Sequence, residues 1–280
     1  MDVIRSKDNS KIKYVRSLNN KKNRETDFVI EGYKLVQEAI TEMNESIKYI
    51  LINETEKNKN EFNKLINLLK FKEIDYYLCE SKIFNNVADT INAQGILAVA
   101  SKKTYDKDSV LTHYNFIIMC DRIQDPGNLG TIIRTADAFG PSAVILNKGC
   151  VDVYNPKVVR AASGALFRVP FIAGDTSSDI IDYLKNAGYK IISTVVDSNY
   201  SFNDIEKLDR ICIVIGNEGQ GVSQEILDNS YMNITIEMTG RLESLNASIA
   251  AGISIYEISE KKRGITKNLL RFICKKNKVE

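Results

Sequence analysis

An α/β architecture with a parallel sheet is predicted for the C-terminal part of this 280-residue chain, and three observations predict it. From about residue 116 onward, short β-branched runs alternate with helical patterns, the signature of strands joined by covering helices. Helix stops fall between them, as at GYK after DYLKN, where Gly188 is free to take the left-handed conformation. Glycines also follow a strand directly in ICIVIGNEGQG, the edge at which α/β sheets bind their ligands.

The elements follow in order. The first hundred residues predict helical YKLVQEAITEM, strand IKYILI, helix EFNKLINLLK, strand DYYLCE and a closing apolar run GILAVAS, enough for a small α/β domain. KKTYDKDSVLTHYN is polar and without clear periodicity, and marks the boundary. The second domain then reads as strand FIIMCD, a helix starting at Asn128, strands AVILN and VPFIA, helix SSDIIDYLKNAG, strands KIISTVV, ICIVIG and NITIEM, and a last helix from Ser244. The expected organisation is a small α/β domain over 1–105, a linker over 106–113, a larger α/β domain over 114–260 and a basic C-terminal tail over 261–280.

Composition excludes several functions. The chain is 44% hydrophobic and 26% charged, as globular proteins are, and it has no apolar run long enough to cross a bilayer. No signal-peptide pattern opens it, so a cytoplasmic location is expected. Five scattered cysteines (Cys79, Cys120, Cys150, Cys212, Cys274) without a C-x-x-C pair point to reduced thiols rather than disulfides or zinc. The single histidine, His113, removes histidine-dependent triads and most metal hydrolase designs, so no metal is expected. Net charge is +2, yet eight Lys or Arg face two Asp between Met1 and Arg24, and the last twenty residues are again basic. Two basic ends suit a polyanionic partner; solvated ends without a partner are the alternative.

Three stretches carry the chemistry. In DPGNLGTIIRTADAFG the turn residues precede Asn128, read as the N-cap, and Arg134 lies one turn beyond Gly130. A helical side chain leans toward the N-terminus, so Arg134 and the positive helix end would form an anion site. Pairing of Arg134 with Asp137 on a wet surface is the alternative. Ile132, Ile133, Ala136 and Phe139 supply the core face. In the second stretch, Gly216, Gly219 and Gly221 let backbone approach a ligand and Ser223 can cap the next helix; a tight turn without a ligand is the alternative. The spacing matches neither dinucleotide nor P-loop fingerprints. In the third, ITIEMTGRLESLNASIAAGISIYEISE, a helix apolar on nearly every side opens with Ser244, Asn246 and Ser248 at alternate positions, polar groups that need partners.

In this order, the three stretches closely resemble the motifs of the SpoU (TrmH) family of SPOUT-class RNA 2′-O-ribose methyltransferases. Residues 128–134 resemble N-x-G-x-x-x-R, residues 216–221 G-x-E-G-x-G, and residues 236–250 I-P-M-x-G-x-x-x-S-L-N-x-S-x-A. One position departs: Glu237 stands where the family has proline. NPKVVRAASGALFRVPF is similar to the family segment between the first two motifs, and RETDFVIEGYKLVQEA to an N-terminal RNA-binding extension.

The resemblance implies an α/β-knot fold with a deep trefoil, S-adenosylmethionine as cofactor, an RNA substrate with ribosomal favoured over transfer RNA, and a homodimer whose interface completes the sites. It implies Arg134, Asn128, Glu218, Ser244 and Asn246 as catalytic. It places Gly216, Asn217, Gly221, Ile236, Met238, Leu245 and Ser244 around the cofactor. A guanidinium pKa above about 12 argues against Arg134 as base. The expected role is to grip the phosphate beside the ribose and stabilise the alkoxide, with water or a carboxylate such as Glu218 taking the proton. A non-catalytic RNA-binding protein of the same fold, a small-molecule methyltransferase and a transfer-RNA enzyme are the alternatives.

Overall fold

The computed structural model describes residues 3–58, 60–89, 94–140, 142–205 and 208–276, with side chains to Arg263. In chain order the elements are β1 (Val3–Ile4), α1 (Ser10–Leu18), β2 (Asp27–Glu31), α2 (Tyr33–Glu42), β3 (Ile47–Asn53), α3 (Asn60–Phe71), β4 (Tyr76–Cys79), α4 (Ser81–Asn85), β5 (Ile96–Ser101) and α5 (Lys107–His113). There follow β6 (Phe116–Cys120), α6 (Pro126–Phe139), β7 (Ala143–Leu146), α7 (Pro156–Ala162), β8 (Phe171–Ala173), α8 (Ser177–Asn186), β9 (Lys190–Val195), β10 (Ile211–Ile215), α9 (Gln224–Asp228), β11 (Met232–Thr235) and α10 (Ala247–Lys276).

The chain forms two compact units. The first holds Met1–Thr104 and Asp152–Arg168, the second Tyr105–Val151 and Val169–Glu280. The first unit carries a mixed five-stranded sheet in the order β1-β4-β3-β5-β2. Helix α1 lays Ile12, Val15 and Leu18 against Leu51, Leu97 and Val99 of that sheet.

Residues 152–168, placed by the sequence reading with the larger domain, belong to the first unit, and polar anchors explain why. The Arg24 guanidinium, 4% exposed, reaches Asp152 at 3.0 and 3.1 Å and also donates to the carbonyls of Leu18 and Asn19. Arg168 pairs with Glu38 at 2.6 Å, and the Lys103 amine donates to the Phe167 carbonyl at 2.7 Å. Tyr154 adds an aromatic contact, its ring centroid 4.5 Å from that of Phe28. Such links are spread through a surface segment and leave no periodic apolar pattern in it.

The second unit is a six-stranded sheet in the order β11-β9-β10-β6-β7-β8. Every ladder in it is parallel, as the alternation predicts. Its strands are near-continuous apolar runs, as strands covered on both faces must be; β6 (FIIMC) and β10 (ICIVI) are buried at every position. The chain runs outward one way from β6 through β7 and β8, then returns to β9 and β10, so the order reverses between β6 and β10. That reversal opens a crevice at the carboxyl ends of the two central strands. The knot expected from the resemblance is characteristic of this fold.

Four local expectations change. Residues 106–113, read as a linker, form α5: the Asp106 side chain accepts from the Ser109 N–H at 2.7 Å as an N-cap, and Val110 and Leu111 enter the core of the second unit. Helix α6 begins two residues before Asn128, because Asp125 is its N-cap, accepting from the Asn128 N–H at 2.7 Å, and Pro126 fits the first turn. Helix α10 begins at Ala247, not Ser244, with the Asn246 side chain accepting from the Ser248 N–H at 2.9 Å. It then continues through most of the segment read as a basic tail, to Lys276; side chains beyond Arg263, Cys274 among them, lie outside the described residues.

The expected stop at Gly188 is present, with φ +79°. Cys79, Cys120, Cys150 and Cys212 are free thiols, and burial pushes Cys150 up to about 11. Among the described residues no helix is long and apolar enough to cross a membrane.

Candidate functional site

A cavity of about 320 Å³ opens at the carboxyl ends of the central strands. Its wall comes from three consecutive strand ends: Thr194 to Val196 after β9, Ile215 to Val222 after β10, and Thr235, Ile236 and Met238 after β11. Ser244, Leu245, Ala247 and Ala250 close it from the start of α10.

The local sequence explains each wall. Residues Asn217 and Gly221 exchange both backbone hydrogen bonds at 3.0 Å, folding the glycine loop back on itself. Gly216 makes that fold possible: a Cβ there would stand 2.3 Å from the Gly221 carbonyl carbon and the Val222 nitrogen. The Asn217 side chain accepts from the N–H groups of Gly219 and Gln220, both at 3.0 Å, so the loop is braced from within. Residues 236–245 form no helix or strand, and among the described residues their backbone groups make no mutual or cross-chain hydrogen bond. Those N–H and C=O groups are available to a ligand, which a segment beside a cavity otherwise satisfies internally.

Beside the cavity, side chains from all three sequence stretches form a single relay. The Asn246 amide donates to Asn128 Oδ1 at 3.0 Å, and the Asn128 amide donates to Glu218 Oε1 at 3.0 Å. Glu218 also accepts from the backbone N–H groups of Gln124 and Asp125 at the mouth of α6, at 3.4 and 3.3 Å. Burial would raise the Glu218 pKa, but the hydrogen bonds from Asn128 and from the backbone outweigh it and hold the carboxyl below its ordinary value.

The structure thus brings together Asn128, Glu218 and Asn246 in the relay, and Gly216, Asn217, Glu218, Gly221, Ile236, Met238, Ser244 and Leu245 around the cavity. Arg134 stands apart from both groups. It lies on the exposed face of α6, one turn beyond the buried Gly130, and it does not line the cavity. Among the described residues it makes no hydrogen bond or ion pair, so the surface pairing with Asp137 does not form. Ile132, Ile133 and Ala136 are buried as expected, and Phe139 packs edge-on against Tyr256 of α10.

Comparison with known proteins decides the family. Residues 115–256 match the SpoU rRNA Methylase family, and residues 9–98 match the MRM3-like substrate binding domain. The chain belongs to the SpoU rRNA methylase family. It is 32% identical over 260 residues to the 23S rRNA (guanosine(2553)-2′-O)-methyltransferase RlmP of Bacillus subtilis, covering 92% of this chain and 99% of that protein. Among solved structures it is similar to the AdoMet-bound rRNA methyltransferase of Sinorhizobium meliloti, with a TM-score of 0.81 and 26% identity over 93% of this chain and 98% of that one. The SpoU methyltransferase AviRb of Streptomyces viridochromogenes shares the fold, with a TM-score of 0.81 at 23% identity over 91% and 98% of the two chains.

Within this SpoU chain, some lining residues were not singled out from sequence. Thr194, Val196 and Thr235 stand at the ends of β9 and β11. The rule that parallel sheets bind at their carboxyl edges points to them, once the strand order is known. Asp121 and Arg122, which follow β6, had no sequence signal at all.

Proposed function

We propose that this chain methylates a ribose 2′-hydroxyl in ribosomal RNA, on the large-subunit RNA, using S-adenosylmethionine held in the cavity between β10, β11 and α10. The observation that carries this reading is the relay from Asn246 through Asn128 to Glu218, which ties the three stretches to one cavity edge. The donor set suits the cofactor. Leu227, Val222, Ile236, Met238 and Leu245 offer an apolar slot for a purine, Thr194 and Thr235 flank it with hydroxyls that donate to the Val214 and Val196 carbonyls, and the unbonded backbone of 236–245 supplies hydrogen-bonding groups. A Cβ at position 216 would destroy the loop fold that shapes this slot.

When bound, S-adenosylmethionine supplies an electrophilic sulfonium methyl group. The chain has to orient the ribose hydroxyl, stabilise the charge that develops on its oxygen and let the proton leave. Glu218, held by four donors, fixes the Asn128 amide, and the proton leaves to water. Asn246 holds the other end of the Asn128 side chain, so that group has one orientation. Arg134 lies six residues beyond Asn128 on the same helix, makes no ion pair among the described residues, and its fork suits the phosphate beside the target ribose.

A homodimer completes this reading. Helix α10 exposes Ile249 and Tyr256, 53% and 47% accessible, at helical spacing on one face. The helix read as apolar on nearly every side thus presents part of that surface to solvent. A second copy seated on that stripe accounts for the exposed apolar surface, and Arg134, which does not line its own protomer's cavity, then serves a site built by two protomers. The first unit matches a substrate-binding domain and delivers the RNA. A cytoplasmic location follows from that substrate.

The test is to incubate purified protein and S-adenosylmethionine with large-subunit RNA from cells lacking the gene, and to map ribose methylation by nuclease resistance. One new 2′-O-methyl site is expected with the wild type. Arg134→Ala is expected to lower the single-turnover rate by about 10²-fold or more. A wild-type reaction that leaves all ribosomal RNA unmodified, or an Arg134→Ala rate equal to wild type, overturns the corresponding part of the reading.

A further inference from the structure

Arg122 follows β6 with φ +58°, a left-handed conformation that a long side chain rarely adopts. A second backbone feature accommodates it. Gly149, itself at φ +104°, leaves the space that Arg122 fills, and a Cβ there would stand 3.0 Å from Arg122 Cγ. Two residues in left-handed geometry therefore serve one guanidinium. Unusual backbone of this kind persists where surrounding contacts over-determine it, and it clusters at functional sites.

Those contacts all lead to one loop. The fully buried Asp121 carboxylate clasps the Arg122 fork, with Nε to Oδ1 at 3.1 Å and Nη2 to Oδ2 at 3.2 Å. Asp121 is itself fixed by the Asn147 amide at 2.7 Å and the Ser223 N–H at 2.8 Å. From that anchor Nη1 donates to Gln220 Oε1 at 2.8 Å and Nη2 to the Gly221 carbonyl at 3.2 Å. The Arg122 carbonyl accepts from the Asn217 amide at 2.9 Å. Arg122 thus holds both ends of the glycine loop, and it does not line the cavity that the loop encloses.

We propose that Arg122 is a positioning residue for cofactor binding, fastening the 217–221 loop to the buried Asp121 so that the cavity wall is formed before the cofactor arrives. The inference rests on the reading of that cavity as the S-adenosylmethionine site. Its physical basis is preorganisation: a loop already fixed loses less freedom when the ligand binds. The guanidinium, not the strained backbone, carries the function.

Two substitutions separate those contributions. Arg122→Gly removes the fork and relieves the positive φ, whereas Arg122→Ala removes the fork and keeps the strain. Calorimetry on the full-length protein is expected to show that both weaken S-adenosylmethionine binding to a similar extent, by about 5- to 50-fold. The rate constant kcat at saturating cofactor and RNA is expected to stay within about threefold of wild type, because Arg122 touches no reacting atom. The thermal midpoint is expected to fall less for Arg122→Gly than for Arg122→Ala.

Wild-type affinity in both variants overturns the inference. So does affinity that follows the thermal midpoint, with Arg122→Gly binding normally and Arg122→Ala weakly, since the effect then comes from strain alone. A wild-type protein that binds no S-adenosylmethionine overturns the cavity reading itself, whereas a wild type that binds beside unchanged variants overturns only the role of Arg122.

Discussion

Asn128 shows how one side chain serves structure and chemistry together. Its Oδ1 accepts from Asn246 and its amide donates to Glu218, so neither end of the group is free. Replacing it with alanine leaves two polar partners unsatisfied at a part-buried position. Asn128→Ala is expected to lower folding stability by about 1–3 kcal/mol, measured by urea unfolding, and to slow methyl transfer by more than that loss of folded protein explains. An activity loss no larger than the unfolded fraction contradicts the relay. The residue types of this relay were legible in the sequence: polar groups at the mouth of an apolar helix need partners, and Asn128, Glu218 and Asn246 each stood in a distinct stretch. The pairing was not legible, because it joins residues 90 and 118 positions apart. Arg122 was hidden more completely, since its φ value and its grip on Gln220 follow from backbone geometry that no local pattern records.

At the level of elements, apolar period and turn chemistry explain what was read correctly. FIIMC and ICIVI announce buried strands because they have no polar face to turn to water. Helix boundaries were read less well where two capping residues compete. Asp125 and Asn128 are both good N-caps, and the proline that follows Asp125 settles the choice in its favour. Helix α5 was overlooked because only Val110 and Leu111 of its seven residues are buried, too few to display a period. Segment 152–168 packs with the first unit through polar anchors, which leave no periodic apolar pattern. Arg24 supports the strongest of them, with a fork bound to Asp152 and to two carbonyls. Arg24→Ala leaves the Asp152 carboxylate, 12% exposed, without its partner. It is expected to destabilise the protein by about 3–5 kcal/mol, and to expose α7 to limited proteolysis. A change below about 1 kcal/mol, the ordinary range for a surface pair, contradicts this account of the anchor.

Across the whole molecule, charge and topology divide the work. The first 24 residues hold eight basic side chains; Lys13 pairs with Asp8, Arg24 with Asp152, and the Lys11 amine lies over the Tyr49 and Tyr77 rings, which leaves five for other partners. Phosphate contacts by roughly three to five of them predict that log affinity for RNA falls against log salt with a slope of about −2 to −4. Filter binding between 50 and 300 mM salt, on the order of the usual experimental range, checks this, and a flat dependence contradicts it. The cavity of the second unit depends on less charge and more shape. The central claim is that the loops after β10 and β11 and the start of α10 enclose a site for S-adenosylmethionine, made possible by the absence of a side chain at Gly216. Calorimetric titration of wild type and Gly216→Ala, both checked for native circular dichroism, tests it most directly. The account predicts saturable binding with one site per chain in the wild type and a loss of about 100-fold or more in Gly216→Ala, the scale set by more than about 2.7 kcal/mol of lost complementarity. No binding to the wild type, or equal binding to both proteins, would contradict it.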